Sequence, residues 1–171
     1  MKWINHQVLT GFIVYAATDN ALFVASSIVG AVIPDRVEGT PPKDNSGYWA
    51  WRRRHRTWSH YPVIYLALIG LLLFAKDYIQ PMNVNYIPTL TLFIDVTIWA
   101  MVGALLHIVE DGICGKVPIF TPHSKHGFKL FTVGSWQEYL FSAIVILICL
   151  ASRVDNPGEM LGVVSDKLIK R

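Results

Sequence analysis

An all-α integral membrane helical bundle is the fold class this sequence predicts, with three main spans plus an N-terminal pair of short helices. Three observations predict it. The 171 residues are 53% hydrophobic and only 16% charged, against roughly 25% charged in an average soluble domain. The apolar residues come in long blocks. The basic residues concentrate in particular loops between those blocks. The length suits one domain, so 1–171 reads as a single membrane-embedded unit.

The three spans are "YPVIYLALIGLLLFA" (61–75), "TLTLFIDVTIWAMVGALLHIVED" (89–111) and "EYLFSAIVILICLAS" (138–152). A straight crossing needs about 20 residues, so the first and third must recruit flanking residues. Pro62 puts the start of its helix near His60, because proline belongs in a first turn. "SWQE" (135–138) reads as a capping box before the last span, Ser135 as N-cap and Glu138 three residues on. Upstream, "VLTGFIVYAA" (8–17) and "ALFVASSIVGAVI" (21–33) are parted by the turn residues Thr18, Asp19 and Asn20. Each piece is about half a membrane thick, which predicts a hairpin within the bundle. The alternative is one continuous span with Asp19 buried in it, at a cost of several kcal/mol. No signal-peptide cleavage site follows the weakly basic start, so the N-terminus is expected to be retained. Cys114 and Cys149 are too far apart in sequence, and too few, to suggest a disulfide framework or a thiolate metal site.

Orientation follows from the loops. Residues 34–57 carry Arg36, Lys43, Arg52, Arg53, Arg54 and Arg56, residues 76–88 carry only Lys76, and residues 112–137 carry Lys116, Lys125 and Lys129. The positive-inside rule places the first and third loops in the cytoplasm. The tail, with Arg153, Lys167, Lys170 and Arg171, runs against that rule. "YWAW" (48–51) reads as an interfacial aromatic belt.

This topology gathers residues that are far apart in sequence. His6 opens the first short helix and Asp35 follows the second. His55 and His60, in "HRTWSH", precede the third helix. His107 and Asp111, in "HIVED", end the fourth, which runs back. All six collect at one membrane face, the cytoplasmic one. His107 and Asp111 stand four apart and share a helix face; Glu110 is a less well aligned substitute for Asp111. Nitrogen and oxygen donors without cysteine suit zinc first, with manganese or iron as alternatives. The number of groups allows one or two ions, and paired ions are the usual apparatus of phosphoester hydrolysis. Asp35 and Asp111 are then the catalytic candidates, bridging ions or orienting the nucleophile. Arg54 and Arg56 are candidates to hold a substrate phosphate, while Arg52 and Arg53 read as an anchor to anionic lipid heads. His123 and His126, in the third loop, are reserve ligands or substrate contacts.

The ordered pattern of an N-terminal histidine, "IPD", "HRTWSH" and "HIVED" resembles the YdjM-type family of inner-membrane proteins, described as membrane-bound, metal-dependent hydrolases. The likeness covers roughly residues 6–138. It implies metal-ligand roles for His6, Asp35, His60, His107 and Asp111, with His55 and Arg56 in the same motif and Glu138 as a further member. The ligand order is also similar to that of zinc-dependent phospholipase C and P1-type nucleases. This chain departs from them: its terminus is expected to be unprocessed, and no second His-x-x-x-acid pair follows His126. One or two ions are therefore expected, not three.

The expected function is hydrolysis of a phosphoester by metal-activated water. A phospholipid is the favoured substrate, membrane lipids are the expected partners, and no nucleic acid is expected. The alternatives are a non-catalytic membrane scaffold with a structural metal and a small transporter. Asp95 is the only strong candidate for a transport pathway on a clear span.

Overall fold

The computed structural model describes residues 1–79 and 87–153. Most of the 76–88 loop, and the tail with Lys167, Lys170 and Arg171, lie outside the described residues. The chain is mostly helical. In order come α1 (Trp3–Thr18), α2 (Ala21–Gly30), α3 (Ile33–Glu38), α4 (Asn45–Arg54), a short 3-10 turn (Trp58–His60), α5 (Pro62–Ile79), α6 (Ile87–Cys114), strands β1 (Val117–Thr121) and β2 (Ser124–His126), and α7 (Trp136–Ala151). Two stretches, Asn45–Ile79 and Pro88–Cys114, are long and apolar enough to cross a membrane, and Trp136–Ala151 is a shorter apolar helix.

The surface and the interior are inverted relative to a soluble protein. Leu66, Leu71 and Phe74 on α5, Phe93 on α6 and Leu147 and Ile148 on α7 all point outward. Inside lie Asn5, His6, Thr10, Ser26, Ser27, His60, His107, Glu110, Asp111 and Glu138. An apolar exterior around a polar core suits a lipid solvent, where buried polar groups must find partners within the protein.

α1 departs from the expected half-membrane piece. It starts at Trp3, three residues ahead of His6, and runs for 16 residues, about 24 Å at 1.5 Å per residue. The polar residues of its first turns do not end the helix because they are paired inside the bundle. Asn5 donates to Glu138, and His6 Nδ1 lies 2.5 Å from Glu110 Oε2. Asp19 closes α1 in the left-handed conformation (φ 52°), which Asp tolerates better than most residues. Asn20 Oδ1 then caps α2, accepting from Leu22 N at 2.9 Å and Phe23 N at 3.3 Å.

α7 runs in the same direction as α1. Lys2 and Asn5 meet Tyr139 and Glu138 at one end, and Asp19 meets Arg153 at the other, 2.5 Å apart. The expected capping box is corrected here. The Ser135 side chain makes no cap. Glu138 instead accepts from Lys2 N at 2.8 Å, from Gly134 N at 2.6 Å and from Asn5, and so ties the start of α1 to α7.

α2 and α6 pack backbone to backbone. A Cβ on Gly30 would lie 1.9 Å from the Ala100 carbonyl oxygen, and one on Gly103 would lie 2.1 Å from that of Ser27. Small residues permit such an approach between apolar helices. The contact delivers α3, directly after α2, to the end of α6 that carries His107 and Asp111. α5 and α6 are linked at the opposite end by Lys76 and Asp95, 2.5 Å apart. Asp95 is therefore engaged in an ion pair.

The expectation of a purely helical chain is also corrected. β1 and β2 form a small antiparallel hairpin, pairing Val117 with His126 and Pro118 with Lys125. Pro118 and the brevity of β2 hide it from a pattern reading, since proline counts against a strand. The hairpin is docked on the end of α6 by Phe128 N to Gly112 O and Leu130 N to Ile113 O, both 2.9 Å.

Candidate metal centre

Four donors from three separate elements meet at one point. α3 supplies Asp35, the 3-10 turn supplies His60, and α6 supplies His107 and Asp111 one turn apart. One donor atom from each lies within 4.8 Å of the others. Asp35 Oδ1 is 3.4 Å from His60 Nε2 and 3.6 Å from His107 Nε2. Asp111 Oδ2 is 3.4 Å from His60 Nε2 and 3.5 Å from His107 Nε2. The two imidazole nitrogens are 3.3 Å apart.

These separations fit a shared cation. Four donors about 2.0–2.1 Å from one ion in a tetrahedron are about 3.3 Å from one another. Two Nε2 atoms facing each other between two carboxylates leave space that a proton or a cation must fill. The carboxylates act most directly on His60. Burial alone would push its pKa down, but the carboxylates of Asp111, Asp35 and Glu38 outweigh burial and raise it to about 10. Burial likewise works against the Asp35 carboxylate, yet His107 and His60 hold it well below the usual carboxylate range. The side chains of His60, His107 and Asp111 are almost wholly buried, while Asp35 is 17% exposed and borders a recess of about 270 Å³ shared with Trp3, Arg36 and Glu38.

A second ring of contacts orients the donors. Trp3 Nε1 donates to Asp35 Oδ2 at 2.5 Å. Ser59 Oγ lies 3.0 Å, and Glu38 Oε1 3.3 Å, from His60 Nδ1. With Nε2 turned to the cluster, Nδ1–H donates outward, the arrangement that fixes a ligating histidine. Glu38 also accepts from the Ser59 hydroxyl and from Arg56 N, and pairs with His55. Burial favours protonation of Glu38, but His55, His60 and Ser59 hold its carboxyl well below the ordinary value. Glu38 thus clamps the whole 55–60 segment. Glu38→Gln should lower metal affinity roughly 10- to 100-fold while the helical content stays unchanged. Metal titration with a competing chelator, alongside circular dichroism, checks this.

The other expected site residues have different places. His6 packs on His107, ring centroids 4.0 Å apart, and its Nε2 lies 3.3 Å from Asp111 Oδ1. His6 therefore borders the four donors, with Nδ1 committed to Glu110. His55 stacks on Trp51 at 4.4 Å and its Nδ1 goes to Glu38, so the structure places it beside the four donors and not among them. Arg56 Nη2 lies 2.8 Å from Asp111 Oδ2, so one end of this guanidinium is already committed to the cluster. Arg54 is exposed on α4 and borders a separate recess with Glu38, Trp51 and Trp58. His123 and His126 are exposed on the hairpin, against Trp58 and Phe120. Glu138 serves the helix junction described above. Met1 N, 2.9 Å from Asp111 Oδ1, pairs with a carboxylate of the cluster. Both cysteines are free, and Cys114 is buried near Met1.

Sequence reasoning missed Glu38 and Trp3, and ranked Glu110 below its role. Glu38 carried a signal: it stands three residues after Asp35, on the same side of one short helix. Trp3 carried none.

Fold and site together define a membrane protein with an interior Asp/His cluster that could hold a metal ion. The family model for the YdjM inner membrane protein matches residues 1–165, and the chain belongs to that family. Neither the comparison with curated proteins nor that with solved structures gave a match.

Proposed function

We propose that this protein is an inner-membrane, metal-dependent hydrolase of phosphoesters, with a phospholipid headgroup as substrate. The observation that carries the reading is the four-donor cluster opening through Asp35 onto a recess at one end of the bundle. A bound divalent ion, zinc in the first place and manganese or iron as alternatives, would supply Lewis acidity and a water of lowered pKa. The residues of the chain do the rest. His60, His107, Asp35 and Asp111 hold the ion, and Trp3 and Glu38 fix the angles of Asp35 and His60. Arg56 offsets the charge of Asp111, and its buried Nε–H has no hydrogen-bond partner among the described residues. Four donors around one point favour one ion rather than two. Hydrolysis of headgroup-labelled phospholipids and of a chromogenic phosphodiester, in detergent with zinc or manganese added, tests the reading. Metal-dependent release of headgroup is expected; no hydrolysis of any phosphoester would refute it.

A second reading has its own support. Four protein donors can fill a tetrahedral shell, as in structural sites, whereas catalytic sites keep a position open. Asp35, the most exposed of the four and the one that borders the recess, is the donor whose place a water would take. An exchangeable water on the bound metal, sought by pulsed electron–nuclear resonance on a cobalt- or manganese-loaded sample, is expected for the hydrolase and absent for the scaffold.

The proposed topology has α5, α6 and α7 as spans, α1 and α2 within the bundle, and the site on the cytoplasmic side. The basic residues of 34–57 against the lone Lys76 of 76–88 motivate it. The 28 residues of α6 make about 42 Å of helix, longer than a hydrocarbon core of about 30 Å. Its last turns, with His107 and Asp111, then reach headgroup level. Single cysteines at Ser46 and Tyr78, with Cys114 and Cys149 replaced by serine, should be labelled from inside and outside respectively. Labelling of position 46 from outside intact cells would reverse the orientation.

A further inference from the structure

The hairpin on the end of α6 brings two lysines to a third group of residues. Arg52, His55, Arg56, Lys116 and Lys125 surround a recess of about 400 Å³. Lys116 directly precedes β1. Lys125 lies on β2, where its Nζ donates to the His55 carbonyl at 2.6 Å. The hairpin packs closely on this end: a Cβ on Gly127 would meet the Gly115 carbonyl at 1.9 Å, and one on Gly115 would meet Arg56 Nη1 at 2.6 Å.

The recess holds an excess of positive charge. Among the described residues, Arg56 alone of the four cations pairs with a carboxylate, Asp111. Arg52 Nη1 donates to the Tyr48 hydroxyl at 3.1 Å. Glu38, the other acid close by, is taken up by His55, Ser59 and the Arg56 backbone. Burial, aided by Arg56 and opposed by Glu38, pushes the Lys125 ammonium below its ordinary value. Cations held close together at some desolvation cost, three of them without a carboxylate partner among the described residues, form a site for an anion.

We propose that Arg52, Arg56, Lys116 and Lys125 form an anion subsite beside the metal cluster that takes a phosphate group of a lipid headgroup. The assignment rests on the phosphoester reading for its link to substrate. It adds that the preferred lipid carries net negative charge and is not zwitterionic. Arg56 joins the two sites, with Nη2 on Asp111 and a place in the lining of the recess.

The test uses the full chain in neutral detergent, stripped of metal so that only the subsite reports. Binding of dihexanoyl phosphatidic acid, dihexanoyl phosphatidylcholine and inorganic phosphate is measured by calorimetry. The parent should bind the phosphatidic acid and not the phosphatidylcholine. Lys116→Gln with Lys125→Gln should weaken phosphatidic acid binding about tenfold or more, as expected for lost charge-assisted hydrogen bonds. Lys116→Arg with Lys125→Arg should restore it, which separates lost charge from lost fold. Arg53→Gln with Lys129→Gln, cations outside the recess, should change it less than about twofold, as screened surface charges do. Equal losses in the recess and control variants would overturn the subsite in favour of diffuse charge. Phosphate binding as tight as that of the lipid would assign the site to a soluble phosphoester and overturn the lipid assignment. Anion binding through Lys116 and Lys125, in a protein that hydrolyses no phosphoester when metal is restored, would uphold the subsite and remove the hydrolase.

Discussion

Asp111→Asn should weaken metal binding on the order of a hundredfold or more, beyond the range typical of outer contacts, and leave the helical fold intact. Asp111 serves the cluster in more than one way. Its Oδ2 lies within 3.5 Å of both His60 and His107, and Arg56 and Met1 N converge on the same carboxylate. An amide of the same shape keeps the volume. It removes the negative charge that those cations and the ion share, and it is a poorer ligand. Asp111→Asn should therefore bind less metal than Glu38→Gln, which only loosens an orienting contact. Competition titration against a chelator of known affinity measures both. Equal affinity for parent and Asp111→Asn would mean that the carboxylate is a counter-ion to Arg56 and Met1 and not a ligand.

Gly103→Val should be the most damaging change outside the cluster. The Ser27 carbonyl lies 2.1 Å from where a Cβ would stand, so the helices must separate rather than a side chain rotate. Overpacking of this kind costs on the order of 3 kcal/mol. The consequence reaches the site because α2 leads directly into α3, whose Asp35 would move away from His107. Loss of thermal stability together with loss of bound metal is the expected result. Val substituted at the equally helical Gly70, where an added Cβ meets no other part of the described residues within 4 Å, should cost neither. If Gly103→Val keeps parental stability, the close α2–α6 contact is wrong.

Much of the donor set is legible in the sequence, for a physical reason. His107 and Asp111 are four apart on an uninterrupted apolar helix, so their shared face follows from helix geometry alone. Asp35 and His60 come to the same end once the turns at Asn20 and Pro62 set the direction of each helix. The errors fall where side chains, not backbone periodicity, decide. His55 and His60 share one short motif, and nothing in a helical period ranks them; Glu38 takes His55 Nδ1 while His60 Nε2 turns to the cluster. α1 begins at Trp3, ahead of the expected opening at His6, because Asn5 and His6 are paired inside the bundle. Their burial depends on Glu138 and Glu110, more than a hundred residues away. The same distance explains Glu138, whose local spacing suggested a cap while its contacts are tertiary. The hairpin at 117–126 is too short and too proline-marked to stand out, although it positions two of the four cations of the anion recess.

The central claim is that Asp35, His60, His107 and Asp111 hold one metal ion. X-ray absorption at the metal edge, with elemental analysis of the same detergent-purified sample, tests it most directly. The account predicts about one ion per chain with only nitrogen and oxygen neighbours near 2.0–2.1 Å for zinc, and the scattering pattern of two imidazoles that disappears in His60→Ala with His107→Ala. Protein that stays metal-free after incubation with zinc, manganese and iron, or a metal shell that contains sulfur from Cys114, would contradict it.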